Sequence, residues 1–345
     1  MSGGPTVSVV IPTYNREKLL PVSVDSVLRQ TFDDWELLVI DDRSTDGTRQ
    51  VVEDYARRDP RIKYHLNRRV KGPSGARNQG IDVAAGDFVA FLDSDDEWAP
   101  DHLEGMLYYL RKYPARIEVM SANAVRKLRA TGEVYQRAEL DLTKYRYDVL
   151  EKACCFHSDG LFDTALGFPI ITTQTMVIRR DVLAAVRFDE SLPPGPEDVF
   201  FHLELAYRRA KVAHLQEYHV TYWAHGDNLT LAGGTGDPAS KFRLFAAYEK
   251  MILRMFEKFR LTRQQRDGMR LWLADLYFWY IGYNCLLQQH DFAGARKYFR
   301  KAIRIRPFTY SFWKTYFASF VKQLMSHGNG NGRALSGEVG HDPCR

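Results

Sequence analysis

The chain has 345 residues, of which 45% are hydrophobic and 26% charged, and its formal net charge is +5 at pH 7. Enough apolar residues are present to bury a full core and a smaller second unit, which excludes a disordered protein. The sequence contains no block of Lys and Arg interleaved with aromatic residues, which argues against a nucleic-acid partner. No run reaches the roughly 18 apolar residues of a membrane span, and the first residues lack a basic, signal-like segment, so we expect a cytoplasmic protein.

Strand-like and helix-like segments alternate from Thr6 to about Leu128. The strand-like runs are TVSVVIPTYN, WELLVIDD, RIKYHLN and DFVAFLDSDD. The segments between them, such as REKLLPVSVDSVLRQ and DGTRQVVEDYARR, have a helical pattern. This alternation is typical of βαβ units and predicts an α/β fold with a mostly parallel, twisted sheet flanked by helices.

The pattern is less regular between about 130 and 230. It predicts a strand at ITTQTMVIRR, a loop at SLPPGPED, a helix through VFFHLELAYRRA and a strand at VAHLQEYHVTYW. The glycine-rich stretch at 231–240 predicts a domain boundary, and the pattern from 241 to 325 predicts a C-terminal helical appendage. The polar, glycine-rich residues 326–345 are predicted to be a disordered tail.

Three predicted strands end in polar residues, and the carboxyl ends of parallel strands share one edge of a sheet. The first ends in Pro12, Tyr14 and Asn15, the second in Asp41 and Asp42, and the fourth in Asp93, Ser94, Asp95 and Asp96. Each run alone is also typical of a solvated turn or a helix cap. Together, so many like charges cost free energy unless a cation or hydrogen-bond donors offset them.

An Asp-x-Asp at a strand end suits a hard divalent cation that takes its other ligands from water and substrate phosphates. The segment GPSGARNQG offers backbone N–H groups at a helix start, together with Arg77, to a phosphate. The alternative is an ordinary helix N-terminus with a surface arginine. No GxGxxG follows the first strand and no GxxxxGK[ST] occurs, which argues against a dinucleotide oxidoreductase and a P-loop NTPase. The four cysteines lack zinc-ligand spacing.

These segments resemble family 2 glycosyltransferases, which are inverting enzymes with the Rossmann-like GT-A fold. The matching stretches are VSVVIPTYNRE, ELLVIDDRSTDGT, GPSGARNQGIDVAAGDFVAFLDSDDEWAPDHL and PGPEDVFFHLELAYR. The resemblance is dense from about 6 to 115, sparse to about 225 and absent beyond. It implies a GT-A domain over 1–230, with a nucleotide-sugar-binding half at 1–128 and an acceptor-binding half at 129–230.

The resemblance also implies roles for the strand ends. Pro12 and Tyr14 match residues that hold the nucleotide base and ribose, and Asp42 matches the aspartate that hydrogen-bonds the base, with Asp41 beside it. Asp93 matches the first acid of the DxD motif, near the ribose, with Ser94 following it in the nucleotide site. Asp95 matches the second acid, which binds the metal.

Three further matches concern the leaving group and the acceptor. Arg77 falls where the family places a basic residue near the donor's sugar and diphosphate. Glu197 and Asp198 match the acidic pair whose aspartate is the general base for the acceptor hydroxyl. His225 lies where many relatives place a histidine near the metal, although a loop histidine without a ligand is an equal alternative.

The predicted function is an inverting transferase that uses Mn²⁺ or Mg²⁺ and moves a sugar from a nucleotide-sugar donor, UDP-linked by preference. The acceptor hydroxyl would belong to a saccharide or a lipid-linked saccharide, as in polysaccharide or glycoconjugate biosynthesis. A base on one side and a leaving-group clamp on the other imply a single displacement. A nucleotidyltransferase and a noncatalytic sugar- or protein-binding module are the alternatives.

The C-terminal segment FTYSFWKTYFASFVKQLM combines aromatic residues with Lys314 and Lys322. Such a segment could lie on the anionic inner face of a membrane, which would fit a lipid-linked acceptor. A buried packing face or a contact within a homo-oligomer explains the same pattern. The sequence leaves these alternatives open.

Overall fold

The computed structural model describes residues 4–224 and 237–328, with side chains to residue 325. The chain divides into two compact units, Met1–Gln265 and Arg266–Arg345. The division lies after the glycine-rich stretch at which the sequence predicted a boundary. The intervening helix belongs to the first unit because it is tied there by ion pairs: Arg254 donates to Asp189 at 2.8 Å, and Lys258 donates to Glu204 at 2.6 Å.

The N-terminal half of the first unit has the predicted βαβ order. Its strands are β1 (Val7–Thr13), β2 (Trp35–Asp41), β3 (Ile62–Leu66) and β4 (Phe88–Phe91), and its helices are α1 (Leu20–Leu28), α2 (Thr48–Arg58) and α3 (Pro73–Val83). The four strands are parallel, in the order β3-β2-β1-β4. Every residue of β1 and β2 is buried, as expected for strands covered by helices on both faces.

The second half extends the same sheet with strands of mixed direction. Its strands are β5 (Glu97–Trp98), β6 (Val119–Leu128), β7 (Val134–Ala138), β8 (Tyr147–Leu150), β9 (Ala153–Phe156), β10 (Val177–Arg179) and β11 (Val212–Ala224). Its helices are α4 (His102–Lys112), α5 (Leu161–Ala165), α6 (Glu197–Tyr207) and α7 (Pro238–Lys258). Beyond β4 the order is β10-β6-β11-β9-β8, while β5 pairs with β11 and β7 with β6.

The short strand β10 connects the two halves of the sheet. It runs antiparallel to both β4 and β6, with Val177 opposite Ala90 of β4. Because β10 is antiparallel, the residues that precede it lie at the carboxyl end of β4. The 3-10 turn Thr173–Thr175 is therefore placed beside the acidic residues that follow β4.

The turn into helix α3 requires glycine at two positions. Gly72 has a φ of 127°, which side-chain-bearing residues rarely adopt. A Cβ on Gly75 would lie 1.9 Å from the carbonyl oxygen of Val70, closer than any real contact. This tight turn fixes the start of the helix that carries Arg77.

The C-terminal unit is helical, as predicted. Its elements are α8 (Arg263–Asp275), which begins just before the division, a π-helix (Leu276–Leu286), α9 (Phe292–Ile305) and α10 (Tyr310–Gly328). Phe278 packs against Phe299 and Phe312, with ring centroids 4.5 and 4.0 Å apart. Within the described ranges, none of the helices has the length and apolar character that crossing a bilayer requires. Most of the predicted disordered tail lies outside the described residues.

Candidate active site

The loops after β1 and β2 are joined by reciprocal hydrogen bonds. The backbone N–H of Asn15 donates to Ser44 Oγ at 2.9 Å, and the N–H of Thr45 donates to Asn15 Oδ1 at 2.8 Å. The N–H of Arg16 donates to Thr48 Oγ1 at 2.8 Å. These bonds hold two adjacent strand ends in one fixed surface at the carboxyl edge of the sheet.

Asp41 and Asp42 are both buried at the end of β2, and each carboxylate organises the surrounding chain. Asp41 accepts hydrogen bonds from Ser44 N–H and Tyr64 Oη, each at 2.8 Å. Asp42 accepts from Asn67 Nδ2 at 2.6 Å and from the N–H of Gly72 at 2.8 Å. Asp42 therefore holds the loop that leads into α3, in addition to its predicted contact with a nucleotide base.

Pro12 and Tyr14, at the end of β1, differ in their exposure to solvent. Pro12 is buried within the strand, opposite Ile40 of β2. Tyr14 is exposed, and Lys71 Nζ lies 4.2 Å from the centre of its ring. An exposed aromatic ring and an ammonium group can receive a nucleotide, the ring by stacking on a base and the ammonium by pairing with a phosphate.

Arg77 is the centre of a buried charge network. Its Nη2 donates to Asp93 Oδ1 at 2.9 Å, and its Nη1 donates to Glu197 Oε1 at 3.2 Å. The side chain is not on the surface, since only 4% of the residue is exposed. Burial alone would lower the pKa of Arg77, but the charges of Asp93, Glu197 and Asp198 outweigh it and raise the pKa. The network joins the acidic motif after β4 to the first turn of α6.

Glu197 and Asp198 open helix α6 but do not cap it in the usual way. The N-cap position is Pro196, and no side chain accepts a capping hydrogen bond there. Glu197 Oε2 instead accepts from the N–H of Gly195 at 2.6 Å. Asp198 is partly buried, and its withdrawal from water and the charge of Glu197 raise its pKa to about 7, against the opposing effect of Arg77.

Gln174, in the turn before β10, is a site residue that the sequence reasoning missed. Its amide donates to the second oxygen of Asp93, while its Oε1 accepts from Tyr222 Oη at 2.9 Å. Its backbone carbonyl accepts from Trp98 Nε1 at 2.8 Å. Trp98 is buried, so it packs beneath the acidic loop. Asp93 is thus fixed by Arg77 on one side and Gln174 on the other.

The remaining acids of the motif differ in exposure. Asp95 keeps 15% of its side chain exposed, and its carboxylate lies 4.0 Å from Arg16 Nη2. Asp96 is buried, and burial together with the charges of Asp95 and Asp93 raises its pKa well above the usual range. Ser94 is buried between them. The Oγ of Ser23 donates to the carbonyl of Asp96 at 2.8 Å and so pins the turn.

The carboxylates that follow β4 fit a divalent metal that takes only some of its ligands from the protein. Among the described residues, no group of three or more His, Cys, Asp or Glu side chains could hold a metal ion. The predicted ligand His225 lies outside the described residues. Burial and the neighbouring carboxylates together raise the pKa of Asp96, and such a concentration of negative charge is the environment that a cation offsets. Asp95, a partly exposed member of this cluster, suits a Mg²⁺-like ion completed by phosphate and water oxygens.

Comparisons with known proteins agree with this geometry. The chain is 49% identical over 94 residues to a GalNAc(5)-diNAcBac-PP-undecaprenol beta-1,3-glucosyltransferase of Campylobacter jejuni, covering 27% of this chain and 30% of that protein. It is 46% identical over 106 residues to the UDP-Glc:alpha-D-GlcNAc-diphosphoundecaprenol beta-1,3-glucosyltransferase WfgD of Escherichia coli, covering 31% and 41%. The chain thus covers less than half of the length of either relative.

Solved structures share the fold. The S. aureus TarS fragment 1-349 in complex with UDP-GlcNAc has a TM-score of 0.62 at 18% identity, covering 94% of this chain and 92% of that one. The mannosyltransferase PcManGT of Pyrobaculum calidifontis, in complex with GDP-Man and Mn²⁺, has a TM-score of 0.52 at 16% identity, covering 94% and 88%. These similarities confirm the predicted fold class.

The family-level comparison matches the description "Glycosyl transferase family 2" at residues 8–187. The matched region contains every strand from β1 to β10, and with them the acidic strand ends, Arg77 and Gln174. Since this match spans more than half of the chain, the chain belongs to glycosyl transferase family 2.

Proposed function

We propose that this protein is an inverting, metal-dependent glycosyltransferase that moves a sugar from a UDP-linked donor to the hydroxyl of a saccharide carried on a lipid diphosphate. The observation that carries the proposal is the Arg77 network. It connects Asp93, at the predicted donor site, with the acidic pair that opens α6. The residues proposed to bind the donor and the helix turn that carries the proposed general base are therefore joined by one buried network.

Asp198 is the proposed general base. An acceptor alcohol is a poor nucleophile, and a carboxylate within hydrogen-bond reach accelerates the reaction by taking its proton. A pKa of about 7 suits this role, because it is close to the pH at which the enzyme would work. Glu197, bonded to Arg77 and to Gly195, holds the first turn of α6 in place.

Asp42, Tyr14 and Asp93 are the proposed contacts to the nucleoside, and Asp95 the proposed ligand of Mn²⁺ or Mg²⁺. The metal, when bound, would neutralise the charge that develops on the departing diphosphate. Both terminal nitrogens of Arg77 donate to carboxylates, so its part is to position Asp93 and Glu197 and to set the local charge. In the described part of the chain we assign one carboxylate as a base and none as a nucleophile, which supports inversion.

Two comparisons support the donor and the acceptor. The TarS structure contains UDP-GlcNAc, and both named relatives act, by their names, on saccharides linked through diphosphate to undecaprenol. A lipid-linked acceptor would place the enzyme at the cytoplasmic face of a membrane.

The test is to incubate the purified chain with a panel of UDP-, GDP- and dTDP-sugars, with and without Mn²⁺, and to measure release of the nucleoside diphosphate. Metal-dependent release from a UDP-sugar, stimulated by a lipid-diphosphate saccharide, is the expected result. Donor binding without release under any condition would favour a noncatalytic binding module. Release of pyrophosphate from a nucleoside triphosphate and a sugar phosphate would favour a nucleotidyltransferase.

A further inference from the structure

The outward face of helix α10 is mostly apolar along its described length, with the exposed Lys314 as a cation among its apolar residues. Its inner side is marked by Phe312 and Ser319, which are fully buried and lie two helical turns apart. The opposite side carries Phe317, Val321 and Leu324, exposed by 59%, 57% and 75%. Four more exposed apolar residues continue this face, and they are Tyr310, Trp313, Phe320 and Met325. We call these seven residues the apolar face.

Helical periodicity explains why these residues share one side. Positions 310, 313, 317, 321 and 324 recur every three or four residues, which keeps them on one stripe of an α-helix. The exposed side of a helix in a water-soluble unit is ordinarily polar. Since Phe312 already fills the inner side, the apolar face is in excess of what the unit's own core uses, and an exposed patch of this kind marks an interaction site.

Positive charge is concentrated beside this face. Eight basic residues and no acidic residue lie between 292 and 325, although the whole chain has a net charge of only +5. The remainder of the chain is therefore net negative. The basic residues of α9 are Arg296, Lys297, Arg300, Lys301 and Arg304.

The basic helix and the apolar face adjoin each other. Arg296 of α9 donates to Gln323 of α10 at 2.8 Å, and its guanidinium lies 4.3 Å from the ring centre of Phe320. Arg300 and Arg304 follow at four-residue intervals and are exposed. A row of cations thus starts at the edge of the apolar face.

We propose that the C-terminal unit binds the surface of an anionic lipid bilayer, with the apolar face of α10 at the boundary between headgroups and acyl chains and the arginines of α9 on the headgroups. Aromatic and aliphatic side chains flanked by Lys and Arg are the composition of helices that lie in a membrane interface. A symmetric dimer through the same face would bring two strongly basic α9 helices together, which like-charge repulsion opposes.

This surface deepens the proposed function, because it would hold the enzyme beside a lipid-linked acceptor, but its binding to lipid does not depend on catalysis. The experiment is sedimentation of the full chain with large unilamellar vesicles of phosphatidylcholine alone or with 30 mol% phosphatidylglycerol. The expected result is partition onto the anionic vesicles only. The partition should fall in 0.5 M NaCl, because salt screens the charges.

Two variants with matched controls test the two parts of the surface. Phe317→Ser combined with Leu324→Ser should abolish sedimentation, whereas Val149→Ser, at a residue of β8 that is 61% exposed, should not change it. Since each basic side chain near an anionic surface contributes about fivefold, Arg300→Glu with Arg304→Glu should weaken partition by at least about 30-fold, because it removes two attractive charges and adds two repulsive ones.

The control for the charge reversal is Arg57→Glu with Arg58→Glu, which lies in the last turn of α2, is exposed and changes the charge equally. Its partition should stay within about twofold of wild type, because α2 is remote in sequence from the proposed surface. Circular dichroism and affinity for UDP should be unchanged in every variant, which separates loss of lipid binding from unfolding and from failure of the proposed function.

Two results would overturn the proposal. One is absence of binding to anionic vesicles by the folded wild-type chain. The other is that the wild type is a dimer, that Phe317→Ser with Leu324→Ser makes it a monomer, and that neither protein binds vesicles. The apolar face would then be a contact between two copies of the chain.

Discussion

Asp198→Asn should separate catalysis from donor binding. The substitution is nearly isosteric and keeps a polar residue in the first turn of α6, while it removes the group that would accept the acceptor's proton. Transfer should slow by a factor of about 10² to 10⁴, the usual contribution of a general base. Donor affinity should stay near wild type, because Asp93 retains its bonds to Arg77 and Gln174.

The same variant should be more stable than wild type at neutral and alkaline pH. Asp198 has a folded-state pKa of about 7, whereas an aspartate in an unfolded chain titrates near 4. A carboxyl with a raised folded pKa contributes its full stability below the unfolded pKa and loses it as pH rises through the folded pKa. The wild type therefore loses stability between about pH 4 and pH 7, and the Asn variant does not.

The size of this effect follows from the shift. Three pKa units correspond to an upper limit of about 4 kcal/mol. Since Asp198 is only partly buried and its titration is linked to that of the neighbouring Glu197, we expect the variant to gain roughly 1 to 3 kcal/mol in the free energy of unfolding. For a unit of this size, that raises the melting temperature by about 2 to 6 °C at pH 8 relative to wild type.

Three measurements check the prediction: transfer rates, calorimetry with UDP and Mn²⁺, and thermal melts at pH 5 and pH 8. In the wild type, kcat/KM should also rise with pH to a plateau above about 7. The residual kcat/KM of the variant should not show this rise, because the titrating carboxylate is absent. An Asn variant that transfers sugar at the wild-type rate would show that the base lies elsewhere. A melting temperature lower than wild type at pH 8 would show that Asp198 stabilises the first turn of α6.

Substitutions at three other positions address the donor site, each followed by calorimetry with UDP. Asp95→Ala should abolish the gain in affinity that Mn²⁺ provides and leave the melting temperature unchanged; retained metal-dependent affinity would make the acidic run only a turn. Asp42→Ala should weaken UDP binding by about 1.5 to 3 kcal/mol with or without metal, and lower the melting temperature because Asn67 loses its acceptor; unchanged affinity would remove Asp42 from the site. Gln174→Glu should reduce affinity more than Gln174→Ala, because it places a carboxylate against Asp93; equal affinity in both would mean that this contact does not position Asp93.

The N-terminal half of the fold could be predicted because its pattern is local. The strands β1, β2 and β4 are apolar runs that end in polar residues, and parallel strands bring such ends together without further information. The residues after β1, β2 and β4 therefore lie at one edge, as predicted. The contact with a nucleotide or metal remains a prediction for each of them.

The environment of Arg77 could not be predicted from local pattern. A helix N-terminus with an arginine is compatible with a surface position, and the partner that buries it, Glu197, lies 120 residues away in the chain. Gln174 was missed for a related reason. A short apolar run predicts a strand but not its direction, and only the antiparallel course of β10 brings the preceding turn to Asp93.

The C-terminal helices show a different limit. The sequence of the aromatic segment is compatible with a packing face, a contact between copies and a membrane surface. Periodicity alone cannot distinguish them, because an apolar stripe has the same spacing whatever covers it. The described side chains of α10 divide into a buried side that includes Phe312 and an exposed apolar side that includes Leu324, so internal packing accounts for only one of them.

The charge network also explains how one arginine serves two sites. Arg77 faces three carboxylates, and a single cation cannot neutralise them all. Asp93 and Glu197 take its two direct bonds, and Asp198 holds its proton to higher pH because burial and the charge of Glu197 outweigh the arginine. The group left without a direct bond to the arginine is the one that the proposed mechanism needs as a base. Arg77 thus fixes Asp93 for the donor, whereas burial and the charge of Glu197 raise the pKa of Asp198 for the acceptor against the effect of the arginine.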